Sequence, residues 1–150
     1  MRTLLASLAG LTLGAMQLAG QGQPAAAPAA AAPAAQAAPK VHIASPARNA
    51  VVTGNSVHVV LEATGIVIAP AAEHKAGTAH HHLFLDTDVS AGDAPIPMGT
   101  KGVWHLGKGQ TEFTLDSVPV GTHRLIAVLA DPNHVPLKPM VADTVQFSVK

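Results

Sequence analysis

The chain has 150 residues, in which nine Lys/Arg balance nine Asp/Glu. From residue 41 onward seven Lys/Arg stand scattered against nine Asp/Glu, which argues against a nucleic-acid partner, because neutralising phosphates is the main source of that affinity. There is no Cys, which removes disulfide staples and any anchor at a processed N-terminal Cys, so a hydrophobic core must hold the fold.

Residues 1–20 read as a secretory signal peptide. Arg2 supplies the positive start and Leu4 to Leu18 an apolar run, and small residues near Ala19-Gly20 or Ala25 to Ala27 suit cleavage. The run is short for a membrane span, and no charged stop-transfer pattern follows, so no transmembrane segment is expected after the signal is removed. Residues 21–39 are almost only Ala, Pro and Gln. Proline blocks a long helix, and the stretch holds no large apolar residue, so it reads as a disordered tether. This start implies export, to the periplasm or outside the cell. The Ala-rich tract and the leader account for part of the positive mean hydropathy.

Residues 40–150 suit a single domain. Val41-His42-Ile43 is a short strand, broken at Ser45-Pro46, and is expected at a sheet edge. Ser56 to Ala63 alternates, with Val57, Val59 and Leu61 on one face. Ala79 to Asp86 is a third strand. Asp88 to Gly102, with Gly92, Pro95, Pro97 and Gly99, reads as a long irregular loop. Thr111 to Leu115, Thr122 to Ala130 and Val141 to Val149 complete the strands, the last two separated by a proline-rich loop at Asp131 to Pro139. No window carries a long helical stripe. The fold expected is an all-β, antiparallel, immunoglobulin-like β-sandwich of six or seven strands.

The chemistry-bearing residues are histidines, of which the chain has nine. Neutral imidazole is the commonest protein metal ligand. In His80-His81-His82 the strand period sends His80 and His82 to one face and His81 to the other, with Leu83 and Leu85. Phe84 leaves open which face is the core. His105 and His134 stand at strand ends or in loops, where they can reach across. His80, His82, His105 and His134 are the candidate metal ligands. Asp86 and Asp131 are candidates to hold the second ring N–H of a ligand, or else to cap turns. His123 reads as a structural histidine, and His42, His58 and His74 receive no role. No nucleophile elbow, Cys nucleophile, phosphate-binding loop or HExxH is present, and the reading is non-catalytic.

Four segments occur in one order: His80 to Asp86, His105 to Glu112, Gly121 to Leu125, and Asp131 to Pro136. From about Thr78 to the C-terminus the chain resembles the exported bacterial domain family DUF4399, whose function is unknown. The resemblance implies an exported β-domain and points to these histidines, without a reaction. Two positions depart from the family pattern: Ala79 stands where Gly is usual, and Leu137 where a further His is common. The function expected is a His-rich binding module for a small ligand, most simply a divalent transition metal such as copper or zinc. The alternative is a structural or protein-interaction domain of the cell envelope, organised by a buried histidine hydrogen-bond network without metal.

Overall fold

The computed structural model describes residues 37–89 and 93–150. The expected leader and most of the tether lie outside the described residues. Nine strands alternate with turns: β1 (Lys40–Ser45), β2 (Val51–Val52), β3 (Val57–Thr64), β4 (Val67–Ile68), β5 (Thr78–Leu85), β6 (Val103–Leu106), β7 (Glu112–Leu115), β8 (Gly121–Ala130) and β9 (Ala142–Val149). One turn of 3-10 helix at Ala71–Glu73 is the sole helical element among the described residues.

The strands form two sheets, one of order β1-β3-β7 and one of order β2-β9-β8-β5-β4, with β6 also hydrogen-bonded to β5. The fold is all-β and sandwich-like. It exceeds the expected strand count through β2, β4 and β6. The first two have two residues each, too short to show a period. β6 has four, closed in by Gly102 and Gly107. The purely antiparallel expectation is corrected in two places, because β2 joins β9 and β4 joins β5 in parallel. The long strand pairs are antiparallel. β1 lies at the edge of the smaller sheet, as Pro46 predicted.

The alternating strands turn their apolar sides inward. Val57, Val59 and Leu61 of β3, Leu125, Ala127 and Leu129 of β8, and Val145, Phe147 and Val149 of β9 are all buried in one core, together with Leu83 of β5. Burying one such side chain contributes about 1.5–3 kcal/mol, so truncating Phe147 to Ala is a change of about 3–5 kcal/mol.

β5 is different: seven of its eight residues are buried, on both faces. Its second face carries a smaller apolar cluster of Phe84, Val128 and Ala130 with Ile96 from the β5–β6 loop. Thus the outer side of the larger sheet is roofed by loops. The Ile96 N–H donates to the His134 carbonyl at 2.9 Å, and Lys138 pairs with Asp93, so the β5–β6 and β8–β9 loops are tied to each other above the sheet.

Candidate functional site

The parity of β5 decides the site. His81 points into the main core, where its Nδ1–H donates to the Gln110 carbonyl at 3.1 Å. His80 and His82 point to the loop-covered face. All three are 0% exposed. On that face His80 stands opposite Ala130 of β8 and His82 opposite Val128, while on the other side His82 stands opposite His105 of β6. Directly opposed residues of an antiparallel pair are close neighbours, so the β5–β6 register brings the His105 ring to His82. Small Ala130 leaves room beside His80.

His134 arrives from the β8–β9 loop. The loop folds back on itself: Asp131 N–H donates to the Val135 carbonyl at 2.9 Å, and His134 N–H to the Asp131 carbonyl at 2.8 Å. His134 itself has φ of 68°, the left-handed region that a non-glycine residue adopts at some cost.

The four rings meet. Ring centroids lie 4.9 Å apart for His80–His82, 4.8 Å for His80–His105, 5.1 Å for His80–His134, 4.9 Å for His82–His105, 5.8 Å for His82–His134 and 4.6 Å for His105–His134. His80, His82 and His105 each offer a ring nitrogen within 4.8 Å of the other two. The Nε2 atoms of His80 and His82 are 3.0 Å apart. His80 Nδ1, His82 Nδ1 and His105 Nε2 are buried without a hydrogen-bond partner among the described residues. An unpaired buried polar atom costs free energy, and the orphaned Nδ1 atoms of His80 and His82 are the ring nitrogens opposite their Nε2–Nε2 contact.

Burial, together with the repulsion of neighbouring rings, holds His80, His82 and His105 below the ordinary imidazole pKa. Desolvation, then the neighbouring His105 and His134, lower the His80 pKa to about 4, although Asp131 acts the other way. Desolvation, then His80, His105 and His134, lower His82 to about 3. His105 is lowered by burial and by His134. At neutral pH His80 and His82 therefore carry free lone pairs.

Among the described residues Asp86 and Asp131 make no hydrogen bond to the four clustered rings, and Asp131 takes the turn-capping role that the sequence also allowed. Asp86 Oδ2 accepts from His123 Nδ1 at 2.6 Å, and its Oδ1 from the Arg124 N–H at 2.8 Å. Asp131 Oδ1 accepts the N–H groups of Asn133 and Val135 at 2.8 and 3.0 Å. Asp131 thus shapes the turn that presents His134, because a short carboxylate reaches its own loop more readily than a distant ring. His123 is structural, as its sequence context predicted. It is 7% exposed, and both ring nitrogens face acceptors, Asp86 and the Pro119 carbonyl at 2.8 Å. Leu137 packs against the main core.

Gly107 was not singled out in the sequence. A Cβ there would lie 2.0 Å from His105 Cε1 and 2.3 Å from its Nε2. The His105 ring occupies the space of the missing side chain. The signal was present as a Gly two residues after a His, but it acquires meaning only once the ring is seen to fold over it.

Residues 59–150 match the family described as a domain of unknown function, DUF4399. The chain belongs to the DUF4399 family. The match begins before the four motifs and takes in β3, so it spans strands of both sheets and all four clustered histidines. No curated protein matches the chain. Among solved structures it is similar to the crystal structure of an engineered protein, at 19% identity and a TM-score of 0.45, with 77% of this chain and 21% of that one covered. The chain thus spans about a fifth of that protein's length. No helix among the described residues is long and apolar enough to cross a membrane.

Proposed function

We propose that this DUF4399 domain is an exported, non-catalytic module that binds one divalent transition-metal ion at His80, His82, His105 and His134. The convergence of four imidazole rings, with the Nε2 atoms of His80 and His82 3.0 Å apart, carries the reading. Imidazole nitrogens bind zinc at about 2.0–2.1 Å, so two of them on one ion stand about 2.8–3.4 Å apart for angles between 90° and 109°. The His80–His82 separation of 3.0 Å falls in that range. The depressed pKa values keep the lone pairs available, since protonated imidazole cannot ligate. Export rests on the signal-like N-terminus.

The test is calorimetric titration of the purified full chain with Zn(II) and Cu(II). One ion per chain is expected, with affinity lost in a His80→Ala/His82→Ala double variant. Equal binding by both proteins overturns the reading.

The same 3.0 Å contact favours a second reading. One neutral imidazole N–H donates to the lone pair of the other, and the four rings pack against one another in a metal-free network of ring contacts beneath the loops. That network predicts a melting temperature indifferent to chelators and to added metal, whereas an ion that binds only the native state raises it.

A further inference from the structure

We infer that the site is tetrahedral, with four imidazole ligands, and that its ion is zinc. This rests on the metal-binding reading above and adds to it the coordination number and the identity of the ion.

The geometry is the argument. Rings that aim a nitrogen at one ion from about 2.0–2.1 Å have centroids about 3.2 Å from it, so in a tetrahedral shell the centroids stand about 5.2 Å from one another. Five of the six observed separations lie between 4.6 and 5.1 Å, and the sixth is 5.8 Å. A square-planar set needs two long diagonals, each about 1.4 times the side. The pair that would be the second diagonal, His80–His105, is only 4.8 Å apart, against 5.8 Å for His82–His134. The four ring centroids therefore stand at the corners of a stretched tetrahedron, compressed at His80–His82, where the 3.0 Å Nε2–Nε2 distance subtends about 91–97° at zinc.

The donor set narrows the ion. Four imidazoles without a carboxylate or carbonyl ligand do not suit calcium or magnesium, which take oxygen ligands. Imidazole suits Zn(II), Cu(II) and Ni(II), but Cu(II) and Ni(II) favour square-planar or tetragonal arrangements. Zn(II) has no preference imposed by d electrons and settles into a tetrahedron.

The framework resists flattening. His80 and His82 lie on β5, which is hydrogen-bonded to β8 on one side and to β6 on the other. His105 is wedged over Gly107. His134 is pinned by its own N–H and by Ile96. His134 completes the shell, although its ring nitrogens lie outside the tightest set of three. Closing the fourth position requires the His134 ring to turn a nitrogen toward the three strand histidines.

Cobalt(II) serves as a visible stand-in for zinc. Titration of the full chain with Co(II) is expected to give one equivalent of binding and a visible absorption band several-fold more intense than that of hydrated Co(II). One equivalent of Zn(II) should abolish the band. His134→Ala should still bind Co(II), more weakly and with a shifted band, because water takes the fourth position. A weak, six-coordinate type of spectrum, or a His134→Ala spectrum identical to wild type, overturns the tetrahedral assignment while metal binding stands. Failure of Co(II), Zn(II), Cu(II) and Ni(II) to bind at all removes both.

Discussion

The His105 ring lies where the side chain of residue 107 would be: a Cβ added to Gly107 falls 2.0 Å from His105 Cε1. Real Cβ atoms do not approach so closely, and the ring is the part free to move. Gly107→Ala should push His105 out of the cluster and leave β6 in place, because Gly107 is not among the residues at positive φ. Loss of one positioned ligand is expected to lower metal affinity at least as much as loss of an orienting partner, about 10–100-fold. Calorimetry reads the affinity and far-ultraviolet circular dichroism the fold. Unchanged affinity would show that His105 is not a ligand.

Metal should stabilise the protein in proportion to its binding. At a free concentration one hundred times Kd the gain is about 2.7 kcal/mol. For a domain of this size that corresponds to a rise in Tm of roughly 7–15 °C. A thermal scan with and without chelator measures it, and an unaltered Tm selects the metal-free network instead.

Without metal, the cluster should destabilise the fold in acid. His80 and His82 have folded pKa values of about 4 and about 3, below the ordinary 6.5. The unfolded chain then binds protons more readily than the folded one. The stability these groups contribute is present above pH 6.5 and is lost as pH falls from there toward 4 and 3. Denaturant titrations of metal-free protein between pH 7 and 4 should show this decline, reduced in the His80→Ala/His82→Ala variant. A flat profile would mean that the rings are solvated.

His123 should behave in the opposite sense. Desolvation lowers its pKa, but the hydrogen bonds to Asp86 and the Pro119 carbonyl, and the Asp86 charge, outweigh it, so the pKa is raised. With acceptors at both nitrogens, the doubly protonated ring is the form that satisfies them. Its contribution is fully present below the unfolded value and is lost as pH rises through the folded one. NMR titration of the ring protons should place His123 above 6.5 in wild type and lower in Asp86→Asn. No difference between the two proteins would remove Asp86 as the cause.

His81 provides the control. It occupies the face of β5 opposite His80 and His82, hydrogen-bonded to Gln110 with its Nε2 unpartnered. His81→Leu should leave metal affinity within about twofold. It should alter stability only modestly, because one orphaned nitrogen disappears while one carbonyl loses its donor. A large loss of metal binding would place His81 in the site.

Much of this protein was legible in one dimension. Alternation in Val57-His58-Val59-Val60-Leu61 and in the C-terminal Val145, Phe147 and Val149 identified sandwich strands, because a half-buried strand writes its burial with a period of two. The same period put His80 and His82 together, and the family resemblance, with their place in loops or at strand ends, pointed to His105 and His134. Three things required the tertiary structure. The core side of β5 was undecidable because loops cover its outer face, so both faces of the strand are buried and neither alternates in polarity. The partners of Asp86 and Asp131 depend on which backbone each carboxylate reaches first. The meaning of Gly107 depends on a ring folding back across two residues. Periodicity reports which way a side chain points relative to its own strand. Only the pairing of β5 with β6 and β8, and the return of the His134 loop over them, determines which side chains meet.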